Sequence, residues 1–135
     1  MIKADNPNEA FVMKFFEVLS TGDLETLRPM VHPEATWTPM GQNIPGAGVH
    51  HGRKGIVDEF LGPVRGLFEP GEPKVTVTSL TSKGDMVVAE CRGVGTLKNG
   101  KAYDNLYCWV YELKDGMMFA LREYMDTAYI QSLMS

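Results

Sequence analysis

The fold is decided by residues 101–130, KAYDNLYCWVYELKDGMMFALREYMDTAYI. Asp115-Gly116 divides this stretch into two runs rich in aromatic and apolar residues, and an Asp-Gly pair in such a position is typical of a two-residue β-hairpin turn. Residues directly opposite each other in an antiparallel pair share one face of the sheet. A two-residue turn therefore predicts three facing pairs: Trp109 with Arg122, Tyr107 with Tyr124 and Asn105 with Asp126.

A second turn signal, Asn-Gly at residues 99–100, extends the prediction by one strand. It places Arg92 opposite Tyr107 and Glu90 opposite Trp109. One face then combines acids, arginines, aromatic residues and an amide, a mixture that suits the wall of a ligand pocket. The predicted members of this face are Glu90, Arg92, Asn105, Tyr107, Trp109, Arg122, Tyr124 and Asp126.

The opposite face of the hairpin is predicted to be mostly apolar. Its members are Leu106, Cys108, Val110, Phe119, Leu121 and Met125, with Glu112 and Glu123 as its charged residues. Helices can cover only one face of a sheet, and a large exposed apolar patch is typical of an interaction surface. We therefore expect a homodimer that packs through the outer sheet face.

Composition limits the possible partners. The 135 residues, 44% hydrophobic and 22% charged, suit a single domain over residues 1–135. A net charge of −4 without a basic stripe argues against nucleic-acid binding. No apolar run is long enough to span a membrane, and residues 1–10 lack the apolar core of a signal peptide, so we expect a cytoplasmic location without membrane association.

The segment before the hairpin predicts helices followed by strands. Asn6-Pro7 with Glu9 has the pattern of a helix start, and Phe15 and Leu19 belong to an apolar stripe at helical spacing. The remaining predicted elements are a short second helix, a strand at residues 34–40, a glycine-rich loop at residues 41–52, a third helix from Arg53 and a strand from Lys74. Helices first and an antiparallel meander afterwards predict an α+β fold with helices on one side of a curved sheet.

This order of elements resembles the nuclear transport factor 2-like fold and, within it, the SnoaL-like and ketosteroid isomerase-related proteins. The segments that carry the resemblance are STGDLETLRPMVHPEATW (residues 20–37), PGAGVHHGRKGIVDEFL (45–61) and NGKAYDNLYCWVYELKDGMMFALREYMDT (99–127). The resemblance implies a cone-shaped half-barrel in which N-terminal helices pack on a strongly curved, mostly antiparallel sheet. Because this fold hosts isomerases, cyclases, epoxide hydrolases, dehydratases and non-catalytic modules, it does not fix the activity.

The resemblance also implies that Asp126 is the general acid/base. SnoaL-like cyclases carry an aspartate on the last strand, and Asp126 in REYMD matches that position. Relatives that hydrolyse limonene epoxide use an Asp–Arg–Asp arrangement, for which Asp126, Glu90 and Arg92 are a reordered equivalent. Those relatives carry a tyrosine and an asparagine on the first strand, and steroid isomerases carry their base there. Residues 37–39, WTP, supply none of these groups and argue against both activities.

Each candidate also has a structural interpretation. Asp126 is either the acid/base or one half of a structural pair with a neighbouring arginine or asparagine. Tyr107 and Tyr124 are either donors to a substrate oxygen that gains charge or a cross-strand aromatic pair. Trp109 over Arg122 fits a cation–π pair, which has a packing role more often than a ligand role.

The pair His50-His51 invites a metal-site interpretation. The Cys, Asp or Glu spacing that would complete such a site is missing, so we predict no metal and no organic cofactor. The histidines end a long glycine-rich loop of the kind that often lies over a pocket. His51 is a candidate for the pocket wall, together with Trp37, Met40 and Phe15.

The first functional hypothesis is a small-molecule isomerase, cyclase or hydrolase that uses Asp126 as general acid/base, with Tyr124 and Arg122 beside it. Its substrate is expected to be small and mostly apolar. The predicted substrate contacts are Trp37, Met40, His51, Phe15, Glu90, Arg92, Asn105, Tyr107 and Trp109. The second hypothesis is a non-catalytic ligand-binding or dimerisation module of the same fold.

Overall fold

A computed structural model describes residues 2–134. The helices are α1 (Pro7–Thr21), α2 (Leu24–Leu27), a 3₁₀ turn (Arg28–Met30), a π-helix (Lys54–Leu61) that continues into α3 (Gly62–Arg65), and α4 (Thr127–Met134). The strands are β1 (Val31–Pro39), β2 (His50–His51), β3 (Lys74–Lys83), β4 (Met86–Thr96), β5 (Ala102–Lys114) and β6 (Met117–Met125). No helix in residues 2–134 is long and apolar enough to cross a bilayer.

Helix α1 begins and ends as the sequence pattern predicts. The Asn6 side chain accepts a hydrogen bond from the Glu9 backbone N–H at 2.9 Å, which satisfies one of the free donors of the first turn. Gly22 ends the helix in the left-handed region at φ 81°, which favours glycine. The Ser82 hydroxyl of β3 donates to Glu9 at 2.5 Å, so the start of α1 is tied to the sheet.

The six strands form one curved, unclosed sheet in the order β2-β1-β6-β5-β4-β3. The β1–β6 pair is parallel and the other pairs are antiparallel. Buried side chains of α1 and the π-helix pack against one face, and they form the main core with Trp37, Trp109 and Tyr111 of the sheet. The predicted α+β class and curved, mostly antiparallel sheet are confirmed.

The β5–β6 hairpin has the predicted turn but not the predicted register. Lys114 faces Met117, and Asp115 and Gly116 both have positive φ, as in the type I′ turn. Past the turn, Phe119 is an extra residue that has no facing partner, and the register shifts by one. The observed pairs are Tyr107 with Met125, Trp109 with Glu123 and Val110 with Arg122.

The consequence is that β6 turns its other face to the interior. A shift of one residue exchanges the two faces of a strand. The side chains of Leu121 and Glu123 are buried, whereas Tyr124 is exposed. The prediction that Arg122, Tyr124 and Asp126 share the pocket face with Trp109 is therefore wrong.

The β4–β5 connection differs from prediction by one residue as well. The loop has three residues, Lys98 to Gly100, and the Leu97 backbone N–H donates to the Lys101 carbonyl at 2.9 Å. Cys91 consequently faces Tyr107, and Ala89 faces Trp109. The prediction that Glu90 and Arg92 lie beside these aromatic residues is wrong, because both side chains point to the outer face and are exposed.

Candidate functional site

A cavity of about 100 Å³ lies between the sheet, the π-helix with α3, the loop at residues 41–49 and helix α4. It has several times the volume that one water molecule needs. Its wall is mostly apolar, and Ile44 and Pro45 of the loop form part of it. The aromatic residues of the wall are Trp37, Phe60, Phe68, Tyr103, Tyr107 and Trp109, and its charged residues are Arg65 and Glu123.

Glu123 is the acid of the cavity. Its side chain is 7% exposed, and the Trp37 Nε1–H donates a hydrogen bond to Oε1 at 2.7 Å. Burial raises the pKa of Glu123 to about 7, and the hydrogen bond from Trp37 opposes this rise. Within residues 2–134, no cationic side chain comes within 4 Å of the carboxyl group and no second hydrogen bond reaches it.

A pair of tyrosine hydroxyls forms a second polar group. The hydroxyls of Tyr103 and Tyr107 are hydrogen-bonded to each other, and both residues line the cavity. The Asn105 side-chain amide donates to the Tyr103 hydroxyl at 3.2 Å and to the Asp126 carbonyl at 3.3 Å. Burial raises the pKa of Tyr103 and Tyr107, so both remain protonated at neutral pH.

The Tyr103–Tyr107 pair has one hydroxyl hydrogen that is not used in the hydrogen bond between the two residues. Two hydroxyls carry two hydrogens, and their mutual hydrogen bond uses one of them, whichever oxygen accepts. In the described part of the chain, the remaining hydrogen has no other acceptor. Tyr107 lies diagonally across from Glu123 in the β5–β6 ladder, so both residues belong to the same face of the sheet.

The indole of Trp109 provides a further donor. Its Nε1–H is buried and has no hydrogen-bond partner among residues 2–134. Trp109 lies directly opposite Glu123 and lines the cavity. Buried polar groups without a partner are rare in native proteins, and each needs an explanation.

Three of the nine predicted substrate contacts line this cavity: Trp37, Tyr107 and Trp109. Phe15 is fully buried behind Trp37, with ring centroids 6.1 Å apart, and Asn105 is buried as a support for Tyr103. The other four are exposed and lie outside the wall: Met40, His51, Glu90 and Arg92.

The three predicted catalytic residues lie outside the cavity wall. Asp126 is exposed, and its Oδ1 accepts a hydrogen bond from the Tyr129 backbone N–H at 3.0 Å at the start of α4. Arg122 forms an outer-face ion pair with Glu112 at 2.5 Å. Tyr124 is 41% exposed on the same side. The observed register separates all three from the aromatic wall.

Three polar residues of the wall were missed from sequence: Arg65, Tyr103 and Glu123. For Glu123 a signal existed, because it alternates with Leu121 and Met125 in LREYM. An acid on the apolar face of a strand is costly to bury, and such acids are often functional. The predicted register placed this face outside, so Glu123 appeared to be an ordinary surface charge.

The sequence matches the family model described as SnoaL-like domain over residues 12–121. No curated protein matches it.

Solved structures share the fold over nearly the whole chain. A protein of unknown function from Burkholderia pseudomallei K96243, described as NTF2-like, is 21% identical with a TM-score of 0.85, covering 96% of this chain and 98% of its own. TerC, co-crystallised with polyporic acid, is 22% identical with a TM-score of 0.83, covering 95% and 98%. A protein with a ketosteroid isomerase-like fold from Catenulispora acidiphila DSM 44928, in complex with trimethylamine, is 14% identical with a TM-score of 0.77, covering 90% and 89%. These likenesses show that the fold is nuclear transport factor 2-like.

Proposed function

The chain belongs to the SnoaL-like domain family, and we propose that it is an enzyme that isomerises or cyclises a small, mostly apolar carbonyl compound with Glu123 as general acid/base. The observation that supports this proposal most directly is the position of Glu123. Its carboxyl group is buried in the cavity wall, accepts a hydrogen bond from Trp37 and has no cationic side chain within 4 Å among residues 2–134. A carboxyl group whose pKa lies near the working pH is suited both to removing and to returning a proton.

The proposed reaction begins with proton removal. The Glu123 carboxylate takes a proton from a carbon next to the substrate carbonyl, and the C–H electron pair forms an enolate. The spare hydrogen of the Tyr103–Tyr107 pair donates to the enolate oxygen, where negative charge develops. Glu123, now a neutral acid, then returns the proton.

The atom to which Glu123 returns the proton distinguishes isomerisation from cyclisation. If the proton returns to a different carbon of the enolate system, the product is an isomer. If the enolate carbon first attacks a second carbonyl of the same molecule, a carbon–carbon bond forms and the proton goes to the new alkoxide, which gives a ring. Both routes balance without a further reactant, and both use only side chains of this chain.

Known complexes of similar proteins support a small-molecule ligand. TerC was crystallised with polyporic acid, and the Catenulispora acidiphila protein with trimethylamine. The aromatic wall here offers flat apolar surfaces that suit an unsaturated or aromatic substrate.

In this proposal, Glu123 takes the role that the family resemblance implies for Asp126. The Asp126 carboxylate caps α4, and its backbone carbonyl accepts from Asn105, which supports Tyr103. We therefore assign Asp126 a structural role at the end of β6.

The test uses proton exchange, which needs no knowledge of the natural substrate. A panel of small hydrophobic ketones and lactones is incubated with the protein in D₂O, and deuterium uptake next to the carbonyl is followed by NMR. We expect exchange above the buffer rate with wild type and with the control Glu90→Gln, whose side chain is exposed on the outer face. Glu123→Gln should reduce exchange to the buffer rate.

Two outcomes would contradict the proposal. Exchange that survives in Glu123→Gln would remove the assigned base. Compounds that bind in the cavity but never exchange would instead favour the non-catalytic ligand-binding module.

We also propose that the outer sheet face forms a homodimer. Several large apolar side chains remain exposed there and at its edges: Met86, Val94, Leu106 and Tyr124. Leu106 is 68% exposed in the middle of β5, where an unpartnered leucine favours association. A second copy of the same face would cover these apolar side chains, and the ion pairs Arg92–Asp104 and Arg122–Glu112 of that face would lie in the same interface.

A further inference from the structure

Arg65 is the cation of the cavity wall, and within residues 2–134 no carboxylate lies close enough to pair with its charge. It lies at the end of α3, and its side chain is half-buried. Burial lowers the pKa of the Arg65 guanidinium, yet an arginine remains charged at neutral pH. The cavity wall therefore contains a partly desolvated positive charge.

Other arginines of the chain have short contacts to an acceptor. Arg28, Arg92 and Arg122 each form an ion pair with a carboxylate at 2.5 Å. Arg53 donates to the Val31 carbonyl at 2.7 Å. For Arg65, the single hydrogen bond in the described residues is to the Pro73 carbonyl at 3.4 Å, and no carboxylate lies within 4 Å.

A purely structural role would use the guanidinium to hold the Pro73 carbonyl. A hydrogen bond of 3.4 Å is beyond the usual range for N–H···O contacts and gives weak support for that role. A guanidinium has five N–H donors, so four of them have no acceptor in residues 2–134. Donors in this number and arrangement match the two oxygens of a carboxylate.

Glu123 does not supply those oxygens. It lies on β6, whereas Arg65 contacts the residue before β3, and three strand spacings separate the two strands. That separation is about 14 Å along the sheet. The two charges are therefore independent features of one cavity, with apolar and aromatic wall between them.

We propose that Arg65 binds the carboxylate of the substrate, so that the substrate class is a hydrophobic keto acid. This inference rests on the proposed function and deepens it. The carboxylate lies against the guanidinium, the apolar body lies on the aromatic wall, and the carbonyl lies between Glu123 and the Tyr103–Tyr107 pair. Uncharged ketones of the same shape bind and exchange, but more weakly.

The test compares a charged ligand with a matched neutral one. The probes are 6-oxo-6-phenylhexanoate and its primary amide, with binding measured by calorimetry at pH 6. At this pH the probe is ionised, whereas Glu123 is mostly protonated and does not repel it. Wild type should bind the acid roughly ten- to a hundred-fold more tightly than the amide, as expected for hydrogen bonds to a charged group.

Three variants isolate the contribution of Arg65. Arg65→Gln should bind the acid and the amide equally, and Arg65→Lys should keep part of the preference because it keeps the charge. Arg92→Gln is the matched control, since Arg92 is exposed and paired with Asp104 on the outer face, and it should behave as wild type. Thermal melting of each variant confirms that it is folded.

The outcomes separate this inference from the proposed function. Equal binding of acid and amide by wild type, or a preference that persists in Arg65→Gln, overturns the role of Arg65 while the pocket function stands. If neither probe binds wild type, the keto-acid inference is overturned. The proposed function is tested separately by proton exchange on neutral ketones. Loss of that exchange in Glu123→Gln supports it whatever the result for Arg65.

Discussion

The Trp37 indole N–H donates to the Glu123 carboxyl group at 2.7 Å and so connects the parallel strands β1 and β6 on the cavity side. Each side chain satisfies a buried polar group of the other. The indole N–H receives an acceptor in the core, and the buried carboxyl group receives the only hydrogen-bond donor that residues 2–134 offer it. This link fixes the orientation of the acid before any ligand arrives.

Replacing Glu123 with Gln should stabilise the protein at alkaline pH. The folded-state pKa of about 7 lies above the ordinary value of 4.5, so the folded state keeps a proton that the unfolded state loses. The Glu123 contribution to stability therefore falls as pH rises from about 4.5 to about 7 and stays low above that. The difference in unfolding free energy between variant and wild type should grow by up to about 3 kcal/mol.

Urea unfolding of both proteins at pH 4, 6 and 8 measures this difference. Gln keeps an acceptor for Trp37, so the comparison changes the charge and little else. A difference that does not vary with pH would mean that the Glu123 carboxyl group is not desolvated in the folded state.

Replacing Trp37 with Phe should shift the pH dependence of proton exchange to higher pH. The hydrogen bond from Trp37 lowers the pKa of Glu123, and its loss leaves the effect of burial unopposed. A pH profile of exchange in D₂O reads the change directly. An unchanged midpoint in Trp37→Phe, with exchange still present, would show that Glu123 does not set the profile.

The Tyr103–Tyr107 pair should show strong redundancy. Either single Phe substitution leaves one hydroxyl whose hydrogen is free to donate, so each should retain most of the exchange rate. The double substitution removes the last hydroxyl donor and should lower the rate by roughly a hundred-fold. Additive losses in a double-mutant cycle would contradict the shared hydrogen.

Replacing Asp126 with Ala should affect stability rather than chemistry. The substitution removes the hydrogen bond to the Tyr129 backbone N–H at the start of α4, at a cost of about 1 kcal/mol. Asp126→Asn keeps a capping oxygen and should melt close to wild type. If Asp126→Asn abolished exchange while remaining folded, the catalytic role implied by the family resemblance would be restored.

Replacing Leu106 with Glu should separate the proposed homodimer. Leu106 lies exposed on the outer sheet face, and a charge there would lie against the same charge of the second copy. Sedimentation velocity at micromolar concentration should show a dimer for wild type and a monomer for the variant. A wild-type monomer at that concentration would remove the dimer proposal.

The fold was largely accessible from the sequence because its signals are local. The capping pattern of Asn6 and Glu9, the helical stripe with Phe15 and Leu19, and the Asp115-Gly116 turn each act within a few residues. These signals fix which elements form and in which order. The α+β class follows from that order alone.

The site was less accessible because it depends on register. No local signal marks Phe119 as a bulge residue, and no signal distinguishes a two-residue from a three-residue loop at Asn99-Gly100. Each of these details moves a strand by one residue and exchanges its two faces. The prediction for Trp109 was correct because Trp109 lies on β5, and the two register errors affect β4 and β6 relative to β5.

Arg65 was missed for a different reason. It lies in the short helix α3, and its nearness to Pro73 arises only when α3 packs beside the start of β3. Contacts of this kind join segments without a shared periodic pattern, so sequence patterning does not predict them.

The bulge at Phe119 determines which of two neighbouring residues of β6 faces the cavity. If Phe119 were instead paired in a regular ladder from the same turn, every later residue of β6 would move by one position, and Arg122 rather than Glu123 would face Trp109. The cavity wall would then contain a cation in place of its acid, although no residue had been substituted. In this protein, the backbone conformation at one residue close to the hairpin turn therefore determines the sign of the charge that β6 presents to the cavity.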